Sequence, residues 1–133
     1  MSFVFSRKSR EALWGVHSDL VLVVSRGLLY SSTDFVITEG LRSQARQDEL
    51  YAAGLSMTRY GKHLTGRAID VMAVGDLDGD GMVSPQDKIL TWRPELYAAI
   101  NEGMQRAAKE LEIPIRWGGE FKSFFDGPHF EMA

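Results

Sequence analysis

The chain contains no cysteine. It can form no disulfide, and any metal site in it must use histidine and carboxylate ligands in place of thiolates. The absence fits any redox compartment. Positive charge is also in short supply: 15 Lys and Arg face 18 Asp and Glu, leaving a formal net charge of -3. That argues against bulk nucleic-acid binding, which needs a basic face, and gives no reason to expect attraction to an anionic membrane. Long apolar runs are missing. The most apolar stretch, Leu20 to Val24, is too short to span a bilayer, and Met1 to Arg10 has no apolar core of signal-peptide length. The expectation is a soluble product made in the cytoplasm without a signal peptide. No repeat, linker or low-complexity segment is visible, and 133 residues at 44% hydrophobic content suit one domain with a real core. We therefore expect a single compact α+β domain over residues 1–133, with a small, mainly antiparallel sheet and helices packed on it.

Along the chain, Leu13, Val16, Leu20, Val23, Val24 and Leu28 recur at helical spacing and predict one amphipathic helix from Glu11 to Tyr30, with Ser9 as N-cap. His17, one position past Val16, reads as a surface or boundary histidine. Phe35 to Thr38 is a β-rich run. A second helix follows, with Ser43 as N-cap and Gly54 as its C′ stop. Arg42 lies between that strand end and helix start; alone it reads as an ion-pairing residue. Leu55 to Lys62 is a loop in which Thr58, Arg59, Tyr60 and Lys62 either line a cleft or are plainly solvated. Ala68 to Met72 reads as a buried strand, Arg93-Pro94 opens a helix from Glu95 to Leu111, and Ile115 to Trp117 and Pro128 to Met132 read as short strands. Phe121 to Phe125 is an aromatic loop that either walls a cleft or fills the core.

Two stretches carry chemistry. Gly61 to Val71 sets His63 and Asp70 at the two ends of a short segment, with Asp70 inside an apolar strand. A buried carboxylate is costly unless it is paired or holds a metal. Far downstream, Asp126-Gly127-Pro128-His129-Phe130-Glu131 brings a second histidine beside carboxylates. Two His and one carboxylate with an open position is a familiar catalytic zinc set. We therefore read His63, Asp70 and His129 as ligands of one zinc ion. Asp126 would act beside it as base and then acid. Arg42 would stabilise an oxyanion or hold a substrate carboxylate. Glu131 is placed to fix a histidine tautomer. Asp126 read blandly only caps its turn.

The other stretch is Asp76-Leu77-Asp78-Gly79-Asp80-Gly81. Against an EF-hand loop, Asp76, Asp78 and Asp80 take positions one, three and five. Gly81 takes the sharp turn at six, the Met82 carbonyl seven, Ser84 nine and Asp87 twelve. This predicts one calcium ion in a structural or regulatory role; an acidic surface turn is the plain alternative. Asp87 departs from the usual Glu, which puts bidentate reach in doubt. Ser84-Pro85 predicts a short helix through Leu90.

The segment from His63 to Val71 resembles the His-x6-Asp zinc motif of the LAS-type peptidases, which include D-Ala-D-Ala peptidases and the L-alanyl-D-glutamate endopeptidases of tailed phages. Asp126 to His129 is similar to that family's final motif, and Thr38 to Ser43 to its arginine segment. The three occur in the family's order and span nearly the whole chain. Asp at 126, where D-Ala-D-Ala peptidases of the VanX type usually carry Glu, resembles the phage endolysin branch. The resemblance implies a Hedgehog/DD-peptidase-like fold. It implies zinc at His63, Asp70 and His129, Asp126 as catalytic base and acid, and Arg42 at the substrate carbonyl. It also implies cleavage of the peptidoglycan stem, between L-Ala and D-Glu, by a monomer that acts on the cell wall for host lysis without a separate wall-binding domain. The calcium loop follows the zinc-bearing strand and would order it. A D-Ala-D-Ala carboxypeptidase and a non-catalytic zinc- and calcium-stabilised binding module are the alternatives.

Overall fold

The computed structural model describes residues 3–75, 89–91, 93–122 and 125–133. The calcium-loop residues Asp76, Asp78, Asp80, Met82, Ser84 and Asp87 lie outside them. Helices α1 (Arg7–Ala12), α2 (Ser18–Tyr30), α3 (Gln44–Ala52) and α4 (Pro94–Leu111) accompany strands β1 (Phe35–Glu39), β2 (Ala68–Gly75), β3 (Ile89–Thr91), β4 (Ile115–Trp117) and β5 (His129–Met132). Short 3-10 turns at Lys62–Thr65 and Gly118–Glu120 precede β2 and follow β4.

Among the described residues the strands form one sheet, with β2 at its centre and every pairing antiparallel. Asp70 pairs with Glu39 of β1 and with His129 of β5, so these strands flank β2 on opposite edges. Strand periodicity then separates two faces. Ile69, Val71, Ala73 and Phe130 point into the core, each with no exposed surface. Asp70, His129 and Glu131 alternate with them and face the other way. The core face is covered by α2, through Leu20, Val23, Val24 and Leu28, and by α4, through Tyr97, Ile100, Met104, Ala107 and Ala108. Each such large side chain contributes about 1.5–3 kcal/mol on burial, so the sheet is held rigid from behind while its other face carries polar groups.

Three expectations are corrected. The single helix from Glu11 to Tyr30 is two, α1 and α2, because Gly15 takes φ +81° and His17 caps α2 by accepting from the Asp19 N–H at 3.1 Å. Ser6, not Ser9, is the first N-cap; Ser9 is buried, and its hydroxyl accepts the Ile37 N–H at 3.0 Å. Ile89 and Leu90 belong to strand β3, paired with Gly75 and Val74, not to a helix. The Ser43 cap is present, accepting from the Arg46 N–H at 3.1 Å, and Gly54 follows α3 at φ +75°.

Candidate metal centre

Between Ile37 and Glu39 the β1–β2 register shifts, and this bulge sets Glu39 directly opposite Asp70. Two carboxylates so placed repel each other. Arg42, just past β1, bridges them: Nε donates to Glu39 Oε1 at 2.8 Å, and Nη2 to Glu39 Oε2 at 2.7 Å and to Asp70 Oδ2 at 3.3 Å. Nη1 donates to Gln47 Oε1 at 2.9 Å. Gln47 is fully buried on α3 and spends its amide N–H groups on Ser56 Oγ at 2.8 Å and the Thr58 carbonyl. Four of the five guanidinium protons are thereby used among the described residues. Glu39 and Gln47 had no individual signal in the sequence; only the bulge and the loop fold reveal them.

Arg42 fixes one oxygen of Asp70 and leaves the other, Oδ1, for the site. His63 Nε2 approaches Oδ1 at 3.3 Å and His129 Nδ1 at 3.2 Å. The ligand atoms of His63, Asp70 and His129 all lie within 4.8 Å of one another. The far nitrogens decide the tautomers. His63 Nδ1 lies 2.9 Å from the Gly40 carbonyl, which can only accept, so Nδ1 carries hydrogen and Nε2 a lone pair. His129 Nε2 lies 2.8 Å from Glu131 Oε1, which leaves the Nδ1 lone pair inward. His63 Nε2 is buried with no hydrogen-bond partner among the described residues. An orphaned buried nitrogen is expensive, and a cation held by two imidazoles and a carboxylate removes that cost. The donor set therefore fits zinc.

Electrostatics agree. Burial works against the Asp70 charge, but the neighbouring His129 and His63 imidazoles outweigh it and hold the carboxyl well below the usual range. Burial likewise disfavours charge on His129, but bonds to Asp70 and Glu131 raise it to about 9, so a bound cation must displace a proton. The bond to His129 is the largest cause that brings Glu131 down to about 2.

Asp126 sits on a turn pinned at four points. Its N–H donates to the Gly118 carbonyl at 3.0 Å and its carbonyl accepts from His129 N–H at 3.1 Å. Trp117 Nε1 donates to the Gly127 carbonyl at 2.8 Å, and Val71 N–H to the Pro128 carbonyl at 2.9 Å. Burial, and next the charge of Asp70, raise the Asp126 carboxyl above its ordinary value. A cleft of about 530 Å³ runs from Arg42, Leu55, Met57 and Lys62 to His63, His129 and Asp126, and Phe121 lines it. A second cleft of about 400 Å³, lined by Thr38, Pro94, Tyr97 and Phe125, shares Asp70 and Asp126 with the first. The ligand group thus stands where two clefts meet. His17 takes no part; it is the α2 cap.

A half-buried triad on a sheet face that could hold a cation, with an acid of raised pKa at the junction of two clefts, is an arrangement suited to hydrolysis. The whole chain, residues 1–133, matches the family model described as phage L-alanyl-D-glutamate peptidase. It is similar to the L-alanyl-D-glutamate peptidase of Escherichia phage T5, 29% identical with both chains fully covered. It is also similar to the peptidoglycan L-alanyl-D-glutamate endopeptidase CwlK of Bacillus subtilis, 36% identical over 74% of this chain and 60% of that protein. The crystal structure of the Serratia marcescens L-Ala D-Glu endopeptidase ChiX superposes with a TM-score of 0.84 at 42% identity, covering 98% of this chain and 90% of that one. The chain belongs to the phage L-alanyl-D-glutamate peptidase family. No helix among the described residues is long and apolar enough to cross a membrane.

Proposed function

We propose that this chain is a zinc-dependent endopeptidase of the peptidoglycan stem that cuts between L-Ala and D-Glu; an L-alanyl-D-glutamate specificity is what the names of its relatives print for them. The observation that carries the zinc reading is the convergence of His63 Nε2, Asp70 Oδ1 and His129 Nδ1, with both remote imidazole nitrogens tied to acceptors. When bound there, zinc supplies a Lewis acid that polarises a carbonyl and acidifies water.

The chain's own groups do the rest. Asp126 takes the proton of the attacking water while the water oxygen bonds to the scissile carbonyl carbon. As the C–N bond breaks, Asp126 returns that proton to the leaving amine. Its raised pKa suits both halves of the transfer. Arg42 holds Asp70 Oδ2 and has one Nη1 proton left, which we assign to the substrate carbonyl oxygen. Residues 1–133 act as one catalytic domain, a monomer on this reading. The loop from Asp76 to Asp87 binds calcium through Asp76, Asp78, Asp80, the Met82 carbonyl and Asp87, and orders the end of β2. The biological role is lysis of a phage host, by an enzyme that acts on the cell wall.

Asp126→Ala tests the assignment. Hydrolysis of purified peptidoglycan should fall to background while zinc stays bound at one per chain. Loss of zinc together with activity would mean that Asp126 is a ligand and that the proton-transfer role is wrong. Unchanged calcium-free activity in a stripped and zinc-reloaded chain would remove the calcium role.

A further inference from the structure

The mechanism above gives no part to Lys62, which lines the larger cleft, or to Arg116, which contacts two residues of its wall, Glu131 and Phe121. Lys62 lines that cleft, with Nζ 3.2 Å from Glu131 Oε2 and a hydrogen bond to the Met132 carbonyl. An ammonium has three protons, so one remains uncommitted among the described residues. Arg116 pairs with Glu131 across the β4–β5 ladder and reaches the same Oε2 at 3.7 Å. Its guanidinium lies over the ring of Phe121, 5.3 Å from the centroid, and Phe121 walls the cleft beside His129 at 5.7 Å. Arg116 is 59% exposed, with its fork open to solvent.

Two cations therefore share one oxygen of a single carboxylate, whose other oxygen is spent on His129. The cluster carries one surplus positive charge in a chain whose net charge is -3. Arg42, the other Lys or Arg side chain lining the cleft among the described residues, is only 9% exposed, bonded to Glu39, Gln47 and Asp70, with its last Nη1 proton assigned above to the scissile carbonyl. Anionic recognition at the cleft surface thus falls to Lys62 and its neighbour. A substrate with a carboxylate near the scissile bond would need that. D-glutamate has two carboxyl groups, and a peptide extended through one leaves the other free, on the residue that supplies the scissile amide nitrogen.

We infer that Lys62, flanked by Arg116, is a receptor for a free carboxylate of the peptide substrate. The inference rests on the peptide substrate proposed above. Lys62 donates its spare proton to the carboxylate, and Arg116 adds charge from over Phe121. Each exposed cation alone contributes little in water. The walled cleft and the pre-fixed Lys62 stem make the contact a charge-assisted hydrogen bond worth about tenfold in affinity. The subsite thereby disfavours uncharged peptides by the same factor of about ten, and so contributes to specificity.

The test uses the zinc-loaded full chain and the tripeptide L-Ala-γ-D-Glu-L-Lys in four forms: both carboxylates free, the glutamyl one amidated, the C-terminal one amidated, and both amidated. Steady-state rates on the active chain are paired with calorimetric binding on an Asp126→Asn background. Lys62→Met should raise KM and Kd about tenfold for the free peptide with kcat changing less, and Lys62→Arg should recover most of the loss. Arg116→Met should give a smaller loss in the same direction. Amidation of one carboxylate should cost the unaltered chain the same factor and abolish its difference from Lys62→Met; which amide does so identifies the glutamyl or the C-terminal group as the ligand. A Lys62→Met effect that persists on the doubly amidated peptide, or no effect on Kd, overturns the inference and reduces the cluster to a support for Glu131. Carboxylate-dependent binding through Lys62 with no turnover by the unaltered chain would sink the proposed function and leave the receptor standing.

Discussion

Replacing Gly118 with alanine should disable the enzyme without touching a group that does chemistry. A methyl carbon at Gly118 would lie 2.2 Å from the Asp126 carbonyl oxygen and 3.0 Å from the Cβ atoms of both Asp126 and His129. Non-bonded heavy atoms sit comfortably at about 3.5–4 Å, so the backbone must give by roughly 1 Å. The nearest atom is backbone, and the same turn is bonded to Gly118 through the Asp126 N–H, so no side-chain rotation relieves the clash. The turn moves, and it carries Asp126, the proposed acid, at one end and His129, a proposed metal ligand, at the other. A displacement of about 1 Å costs on the order of a hundredfold in rate, and overpacking of this kind costs about 1–3 kcal/mol of stability. The assay is kcat/KM on the stem peptide, read beside zinc content and thermal midpoint. We expect kcat/KM down about a hundredfold with the fold retained and zinc bound more weakly. A rate within threefold of the unaltered chain would refute the reasoning, since it would mean that the acid does not depend on the placement of this turn.

Gln47→Leu removes the acceptor of Arg42 Nη1 and frees Ser56 Oγ and the Thr58 carbonyl to bond only each other. Urea unfolding should show a loss of about 1–3 kcal/mol, with KM rising because Thr58 and its neighbours wall the cleft. Glu131→Gln loosens the hold on His129 Nε2, and zinc affinity measured by competition with a chelator should fall about 10–100-fold. The metal-free protein should also have its own pH window. His129 is raised from 6.5 to about 9 by its carboxylate partners, so its stabilising contribution is complete below pH 6.5 and is lost as pH rises through 9. Glu131 is lowered from 4.5 to about 2, so its contribution is complete above pH 4.5 and is lost as pH falls through 2. Thermal unfolding of chelator-treated protein should peak between 4.5 and 6.5; a midpoint that climbs steadily to pH 9 would contradict the His129 contribution, and one that holds level from pH 4.5 down to 2 would contradict that of Glu131.

Much of this was legible in the residues themselves. An aspartate in an otherwise apolar strand is costly, and that anomaly led to Asp70; the structure brings His63 and His129 to it. Ala68 to Met72 and Pro128 to Met132 were readable as strands and fall in β2 and β5, and α4 opens at Pro94 where the Pro signal lay. What failed is what local pattern cannot encode. The apolar stripe of Glu11 to Tyr30 continues through Gly15, whose positive φ ends one helix before the next begins. Strand β3 depends on pairing with β2, a contact with no local signature. Glu39 and Gln47 look like ordinary polar positions, and become the supports of Arg42 only when a bulge and a loop bring them in. Phe121 walls the cleft, as one of its two readings held.

The most direct measurement is product mass after metal add-back. The chain is stripped of metal, given zinc alone, and incubated with purified peptidoglycan. The account predicts no release before zinc, and afterwards fragments with a new L-Ala carboxyl end and a new D-Glu amino end. Release of terminal D-Ala would assign the other bond, and no release with zinc bound at one per chain would contradict a catalytic role for the His63–Asp70–His129 site.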